Sequence, residues 1–391
     1  MKKKTIVTQI GLDGHNTFGK ATARGADGRV VWRERLDYRD RTKLREQLAK
    51  WPKDTPVILE STFGWGWTSD ELMAAGLEPH LANCRKVAAW RSARGLAKSN
   101  KIDSDLLSEL WSQQPRWWEV WLAPPEVRAQ REWMRYRMSL VAMQTGVKNR
   151  IHAILHRHGI VREESDLFGT KGHRFLSLLL SAQEERLPAS GQATLKGYMQ
   201  LLSYLRRQIA QVTQQFRGSL TQTPAGIRLK TLPGIAVVLS YTILAEIGRI
   251  ERFRNAKHLS SYSLLAPRAY DSGDEDGDEK PKGRHLGQAG RQTLQWAWIE
   301  AAHSAVRSGG RFREIFDRVT NGGQQNRNRG YIAVAHELCR IAYVLLKKQV
   351  DYQAERPARP GRRSPNSDSR PGTGQPNPAM VAAVSGSRQT A

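Results

Sequence analysis

The order of strand-like and helix-like segments constrains the fold of this chain more than any other feature. Three β-rich segments come first, and residues 25–28 have the composition of a turn between the second and the third. A helix, a short apolar strand, a second helix and a fifth strand are predicted next. The seven segments are residues 5–12, 18–24, 30–36, 42–51, 56–61, 67–75 and 78–82. Strands first and interleaved helices later predict an α+β fold, a mixed sheet with helices on its faces.

The chain beyond position 124 is predicted to be mainly helical. Residues 126–159 contain no proline, and their apolar residues recur at steps of mostly three to four, which predicts one long core-facing helix. A basic outer face is expected from Arg128, Arg131, Arg135, Lys148 and Arg150, and it suits either coiled-coil pairing or a nucleic-acid clamp. A second helix over 193–215 could pack back against it. Further helical segments are expected within 231–249, 291–307 and 331–350.

These patterns divide the chain into four regions. Residues 1–123 form the sheet domain, 124–222 the long helical region, and 223–353 a mainly helical C-terminal domain. Residues 354–391 are rich in Pro, Ser and Arg and poor in apolar residues, which predicts a disordered basic tail.

The charge of the chain points to a polyanionic partner. Sixty-two Lys and Arg residues stand against 37 Asp and Glu, a formal net charge of +25. Nucleic acid is the usual partner, because neutralising phosphates releases condensed counterions. A ribosomal-type structural protein or a membrane-surface protein could share that charge, but twelve Trp residues favour packed globular domains over a basic tail.

The cysteines and the apolar segments indicate the cellular compartment of the protein. Cys84 and Cys339 stand far apart, which excludes a zinc knuckle and a disulfide scaffold. The most apolar stretch, residues 235–245, is about half as long as a membrane span needs. We therefore expect a cytoplasmic, nucleoid-associated protein with no membrane partner.

Acidic residues at the ends of apolar strands suggest a metal site. Asp13 ends the first strand and Glu60 ends a later one, where a carboxylate is costly to desolvate unless a cation or donor compensates it. Asn100 and Asp103 are three residues apart at the expected start of a helix, so they face the same way. Oxygen ligands of this kind suit Mg²⁺ or Mn²⁺. Taken singly, Asp13 could be a turn residue, Glu60 a capping partner and Asn100 an N-cap.

Taken together, these segments resemble the DEDD-type insertion-sequence transposases, whose N-terminal domain is similar to the RuvC Holliday-junction resolvase. The resemblance spans about residues 5–350. It is carried by Gly11-Leu-Asp13, Leu59-Glu60, Lys98-Ser-Asn-Lys-Ile-Asp103, Lys148-Asn-Arg-Ile-His-Ala153, Thr231-Leu-Pro-Gly-Ile235, Leu244-Ala-Glu-Ile-Gly248 and Ser272-Gly273.

The resemblance implies a DNA transposase or recombinase that cuts and rejoins the DNA of an insertion element. It implies an RNase H-like (RuvC-like) fold for residues 1–123 and a transposase domain for 223–353. It also implies a catalytic Mg²⁺ or Mn²⁺ held by Asp13, Glu60, Asn100 and Asp103. Asn100 stands where the family pattern has a carboxylate, so metal affinity should be lower, and Asp105 is a conceivable substitute about 200° round the helix from Asp103.

Further partners and a nucleophile are implied by the same resemblance. Ser272 would attack the DNA phosphodiester and form a phosphoserine link, activated by the acidic cluster of another protomer in a dimer or tetramer. A structured non-coding guide RNA would pair with donor and target DNA, which fits a chain with no helix-turn-helix or zinc-finger pattern. The acidic stretch 274–279 is expected to be a solvated insertion. Contacts to nucleic acid are expected from Lys98, Lys101, Lys148, Arg150, Arg268, Lys282, Arg284 and Arg291.

Two other functions remain open on the sequence. A metal-dependent, structure-selective DNA nuclease would need the acidic site but not Ser272. A nucleic-acid-binding relic of a transposase, weakened at Asn100, would need neither catalytic element.

Overall fold

The molecule is described by a computed structural model over residues 6–161, 166–181, 186–266 and 291–353. Six strands form one mixed sheet. They are β1 (Val7–Gly14), β2 (Phe18–Gly25), β3 (Val30–Asp37), β4 (Pro56–Glu60), β5 (Glu78–Ala82) and β6 (Glu119–Val120). The strand order is β3-β2-β1-β4-β5-β6. β1 pairs with β2, β2 with β3 and β5 with β6 in antiparallel fashion, whereas β1–β4 and β4–β5 are parallel.

Thirteen α-helices are present in the described part of the chain. They are α1 (Arg41–Leu48), α2 (Trp65–Ala74), α3 (Cys84–Ala93), α4 (Asn100–Leu110), α5 (Pro125–Arg157), α6 (Thr170–Leu178), α7 (Ala189–Arg217), α8 (Pro224–Lys230), α9 (Val237–Ile247), α10 (Ala256–Tyr262), α11 (Gln292–Arg307), α12 (Gly310–Thr320) and α13 (Arg327–Lys348). The described residues up to Tyr352 form one compact unit. None of these helices is long and apolar enough to cross a membrane.

The predicted order of strands and helices in the first 82 residues is confirmed. The first strand runs two residues later than expected, so that Asp13 is its second-last residue rather than its end. Leu12 of β1 pairs with Leu59 of β4 in parallel register. Asp13 and Glu60 are the residues that follow this pair, so they lie next to each other at the carboxyl ends of the two strands.

The predicted long helix is also confirmed as α5, with 33 residues. It packs along α7 in a shared apolar core that includes Ile151 and Leu205. The prediction for Arg131 was wrong: it is 3% exposed and does not belong to a basic outer face. Its guanidinium donates to the backbone oxygens of Ala245 and Glu246, because the last carbonyls of α9 have no partner inside their own helix.

Helix α4 lies directly on the sheet, and this contact positions the site described below. A Cβ added at Gly11 of β1 would lie 2.1 Å from the backbone nitrogen of Ser108 and 2.3 Å from the backbone oxygen of Ser104. Leu106 and Leu107 of the same helix pack with Ile58 of β4 in a buried cluster. Glycine is therefore required where β1 passes under α4.

Candidate acidic site and adjoining groove

Three acidic residues come from three elements that the sheet and α4 bring together. Asp13 lies near the end of β1, Glu60 ends β4, and Asp103 lies in the first turn of α4. Ser99 caps α4, since its hydroxyl accepts a hydrogen bond from the backbone nitrogen of Ile102. Asn100 is therefore the first residue of the helix and not its cap, and its side chain is half-buried.

The three carboxylates act on one another electrostatically. Burial raises the pKa of Glu60 to about 7, with further contributions from the charges of Asp13 and Asp103. Burial also raises the pKa of Asp13, and the charge of Asp103 adds to this against the opposing effect of His15. Like charges in a partly desolvated setting disfavour ionisation, so this cluster has a deficit of positive charge.

Protein cations supply part of that charge. Nη1 of Arg91 lies 2.8 Å from Oδ1 of Asp103, and Nε2 of His15 lies 3.0 Å from Oδ2 of Asp13. The charges of Arg91 and Lys98 both act to lower the pKa of Glu60. Lys98, expected to contact nucleic acid, thus lies beside the acidic cluster.

The donors of the cluster suit a hard divalent cation, although their present arrangement is not that of a formed metal site. Across residues 6–161, 166–181, 186–266 and 291–353, no group of three or more His, Cys, Asp or Glu side chains is arranged to hold a metal ion. Carboxylate and amide oxygens are nevertheless the ligands that Mg²⁺ and Mn²⁺ prefer. A bound cation would relieve the repulsion that raises the pKa of Glu60.

Asp105, the conceivable substitute ligand, forms hydrogen bonds with residues of the sheet. Arg33 donates to both of its carboxylate oxygens at 2.9 and 2.8 Å, and the Thr22 hydroxyl donates to Oδ1 at 2.8 Å. Burial acts to raise the pKa of Asp105, but these hydrogen bonds outweigh it and lower the pKa. Asp105 therefore ties α4 to β2 and β3.

A groove of about 1180 Å³ adjoins this edge of the sheet. One wall is the segment 61–66 that follows Glu60, a second is the N-terminal part of α5, and a third comes from the C-terminal half of the chain. Five arginines line it, namely Arg128, Arg131, Arg135, Arg252 and Arg291, together with the aromatic residues Phe63, Trp65, Trp121, Tyr136 and Tyr262. Among the described residues that line it, Glu132 is the one with an acidic side chain.

The other expected nucleic-acid contacts have varied surroundings. Lys101 and Arg150 are exposed, and Arg150 donates to the backbone oxygen of Gly146. The Lys148 ammonium stands 5.1 Å from the ring centre of Phe168. Arg291 donates to the Tyr262 hydroxyl at 3.0 Å and lies 3.6 Å from the buried carboxylate of Glu246. Ser272, Gly273, Arg268, Lys282, Arg284, the acidic stretch 274–279 and the basic tail 354–391 all lie outside the described residues.

Arg91 and His15 were not identified from the sequence. His15 follows Asp13 by two residues at the end of a strand, a spacing that places both side chains on one face and could have indicated the pair. Arg91 is twelve residues from Asp103 and on another helix, so no local pattern connects them.

Two regions of the chain match models of known protein families. Residues 10–160 match the DEDD model of IS110 elements, described as a transposase, and residues 227–317 match the transposase family IS116/IS110/IS902. Two regions of the chain are thus similar to transposase domains. The first of them contains Asp13, Glu60, Asn100 and Asp103, and the second spans Ser272.

Three individual proteins are similar to this chain at low to moderate identity. A probable family 20 transposase of Pseudomonas aeruginosa is 22% identical over 258 residues, 66% of this chain and 74% of that protein. The pilin gene-inverting protein of Moraxella lacunata is 32% identical over 136 residues, 34% of this chain and 38% of that protein. The pilin gene-inverting protein of Moraxella bovis is 32% identical over 135 residues, 34% of this chain and 37% of that protein. The chain thus spans less than two fifths of either pilin gene-inverting protein.

Proposed function

We propose that this protein is a DNA transposase or recombinase that cuts and rejoins the DNA of an insertion element. The observation that carries the proposal is the placement of Asp13 and Glu60 at the ends of the paired strands β1 and β4, against helix α4 with Asp103, inside a region that matches a transposase model. The Moraxella relatives, named for the inversion of a gene, fit a protein that rearranges DNA. The sheet order β3-β2-β1-β4-β5, with only β2 antiparallel to both neighbours, supports an RNase H-like, RuvC-like domain over residues 1–123.

Asp13, Glu60, Asp103 and Asn100 would hold Mg²⁺ or Mn²⁺. When bound, such an ion lowers the energy of charge that develops on phosphate oxygens during the transfer of a phosphoryl group. The residues of the chain position this site: Arg91 orients Asp103 and His15 orients Asp13 through the contacts described above. Asn100 contributes an amide oxygen without negative charge, so metal affinity should be lower than with a carboxylate there.

Ser272 is proposed as the nucleophile, in a C-terminal transposase domain over residues 223–353. Its hydroxyl oxygen would form a bond to phosphorus, the bond from phosphorus to the departing DNA oxygen would break, and the serine proton would pass to that oxygen. Rejoining is the reverse attack by a DNA hydroxyl, so no external oxidant or energy source is required. The proposal also includes a structured guide RNA and a homo-oligomer whose protomers share the site.

The test is the formation of a covalent protein–DNA adduct. The full chain is incubated with Mg²⁺ and DNA that flanks its own gene, and the products are separated by denaturing electrophoresis. Wild-type protein should give an adduct, Ser272→Ala should give none while binding DNA normally, and Asp13→Asn should also give none. Ser308→Ala is the matched control, since Ser308 is an exposed serine that follows α11.

Each alternative function has its own signature in this assay. Free cleaved DNA without an adduct would indicate the structure-selective nuclease, and DNA binding with neither product would indicate the relic. A normal amount of adduct with Ser272→Ala would exclude Ser272 as the nucleophile. Sequencing of RNA that copurifies with the wild-type protein tests the guide RNA.

A further inference from the structure

We propose that the groove beside the acidic site binds an unpaired strand of nucleic acid, with bases stacked on Phe63 and Tyr136 and phosphates next to Arg135. The inference rests on the proposed action on nucleic acid and deepens it by specifying the state of the strand. Phe63 follows Glu60 by three residues, so a strand held here passes close to the acidic site.

The aromatic walls of the groove are the first line of argument. Phe63 is 95% exposed, and Tyr136 on α5 is 43% exposed. Large rings left in water on a concave surface are typical of a binding site, because covering them with a flat apolar partner is favourable. Trp65, Trp121 and Tyr262 in the same groove are already covered by the guanidinium groups of other residues. Phe63 and Tyr136 are therefore the groove aromatics whose solvent-exposed surface a base could cover.

The charge of the groove is the second line. Arg128 is tied to Asp70 and to the backbone of Gly66, so it fixes the segment 61–66 against α5. Arg135 is exposed and lies next to Tyr136 in the chain. Positive charge along a groove, with aromatic rings between the charges, is the arrangement by which proteins bind single strands.

The shape of the groove favours an unpaired strand over a duplex or a small molecule. At about 1180 Å³ it is larger than the roughly 300–1,000 Å³ of typical small-molecule sites. In a duplex the faces of the bases are covered by neighbouring base pairs, so rings such as Phe63 could reach them only by disrupting the stack. An unpaired strand presents base faces and phosphates together, and either DNA or RNA has this chemistry.

The test measures binding by the full chain without divalent metal, so that no cleavage takes part. Fluorescein-labelled oligothymidylate, oligouridylate and a blunt DNA duplex are titrated, and fluorescence anisotropy gives the dissociation constants. Phe63→Ala and Tyr136→Ala should each weaken single-strand binding roughly 5- to 150-fold, the range for one lost stacking contact, and leave duplex binding unchanged. Phe63→Trp should retain binding, since it keeps an aromatic face. Tighter binding of one of the two single strands identifies DNA or RNA as the natural ligand.

Matched controls separate the groove from general surface effects. Tyr204, an exposed tyrosine of α7 outside the groove, is the control for Tyr136, and Tyr204→Ala should have no effect. Arg135→Gln should weaken binding and reduce the slope of its salt dependence by about one. Arg207→Gln removes the same charge from an exposed position on α7 and should change the affinity much less.

Several results would overturn the inference. Unchanged single-strand binding in both aromatic variants, or an equal loss for the duplex, would contradict it. Displacement of the probe by polyglutamate as readily as by unlabelled oligothymidylate would show a site for acidic peptides. The covalent-adduct assay is independent of these outcomes. Adduct formation without groove-dependent binding rejects only the inference. Groove-dependent binding without an adduct rejects only the proposed recombinase.

Discussion

Nη1 of Arg91 lies 2.8 Å from Oδ1 of Asp103, within a group of carboxylates that is short of positive charge. Asp103 is 8% exposed, so the pair is largely removed from water. The guanidinium therefore holds in place a side chain that the proposed cation would also require. Arg91 should therefore stabilise the metal-free protein and would compete with the proposed cation.

Arg91→Gln should consequently have two opposite effects. The free energy of unfolding of the metal-free protein should fall by about 1.5–3 kcal/mol, the usual contribution of a hydrogen bond to a charged group. The affinity for Mn²⁺, measured by calorimetric titration, should rise by about tenfold, because a competing positive charge is lost close to the carboxylates. Arg94→Gln is the control, since Arg94 pairs with Glu109 instead. Unchanged Mn²⁺ affinity in Arg91→Gln would indicate that Asp103 is not a metal ligand.

Glu60 should make stability depend on pH. Its pKa is about 7 in the folded protein, raised by burial and by neighbouring carboxylates from an ordinary value of 4.5. Between these values the folded state holds more protons than the unfolded state, so stability falls as pH rises from about 4.5 to 7. Metal affinity should rise over the same window, since the carboxylate must lose its proton to bind.

Urea denaturation at about pH 5 and about pH 8 would measure this dependence. In Glu60→Gln the fall in stability across this range should be smaller, whereas the exposed control Glu132→Gln should behave as wild type. A pH dependence equal to that of wild type in Glu60→Gln would show that Glu60 does not titrate in this range.

Asn100→Asp should raise the affinity for divalent metal. The substitution adds a negative charge at the first residue of α4, on the same side of the helix as Asp103. It should also stabilise the helix by about 0.3–1 kcal/mol, since negative charge is favoured at a helix N-terminus. The two effects are distinguished by measuring the metal affinity and the stability of the metal-free protein separately.

A Mn²⁺ titration followed by electron paramagnetic resonance would compare both forms. Ser99→Asp provides a control that adds charge to the same turn at the capping position, where aspartate also caps well. An equal increase in metal affinity in both variants would mean that the added charge, and not ligation at position 100, is responsible.

Gly11→Ala should destabilise the protein strongly. The added Cβ would meet backbone atoms of α4 at 2.1 and 2.3 Å, and backbone cannot move aside as a flexible side chain can. Overpacking typically costs about 1–3 kcal/mol, and this substitution should reach or exceed that range. Displacement of α4 should also weaken metal binding, because Asp103 moves with it.

Gly197→Ala is a suitable control for this substitution. Gly197 lies within α7, where nothing stands within 4 Å of an added Cβ. Alanine there should stabilise the protein by up to about 1 kcal/mol through its higher helix propensity. Denaturation curves in which Gly11→Ala resembles wild type would contradict the close packing of β1 on α4.

The sequence predicted local features well because their signals lie within a few residues. Short β-rich or apolar segments identified β1 to β5, and apolar residues at steps of three to four identified α5. Helices α3, α6, α8, α10 and α12 were not predicted as separate elements. Strand β6 has only two residues and carries too short a pattern to detect.

The candidate site shows the same division between local and distant information. The sequence by itself determined that Asp13 stands near the end of a strand, that Glu60 ends another and that Asp103 stands in the first turn of a helix. Periodicity and capping act over short distances, so a local pattern was enough. Only the tertiary structure decided that β1 and β4 are neighbours and that Arg91 reaches Asp103. It also decided that Arg131 is buried against the end of α9. These contacts join residues far apart in the chain, and they arise from packing whole elements together rather than from the preferences of any one segment.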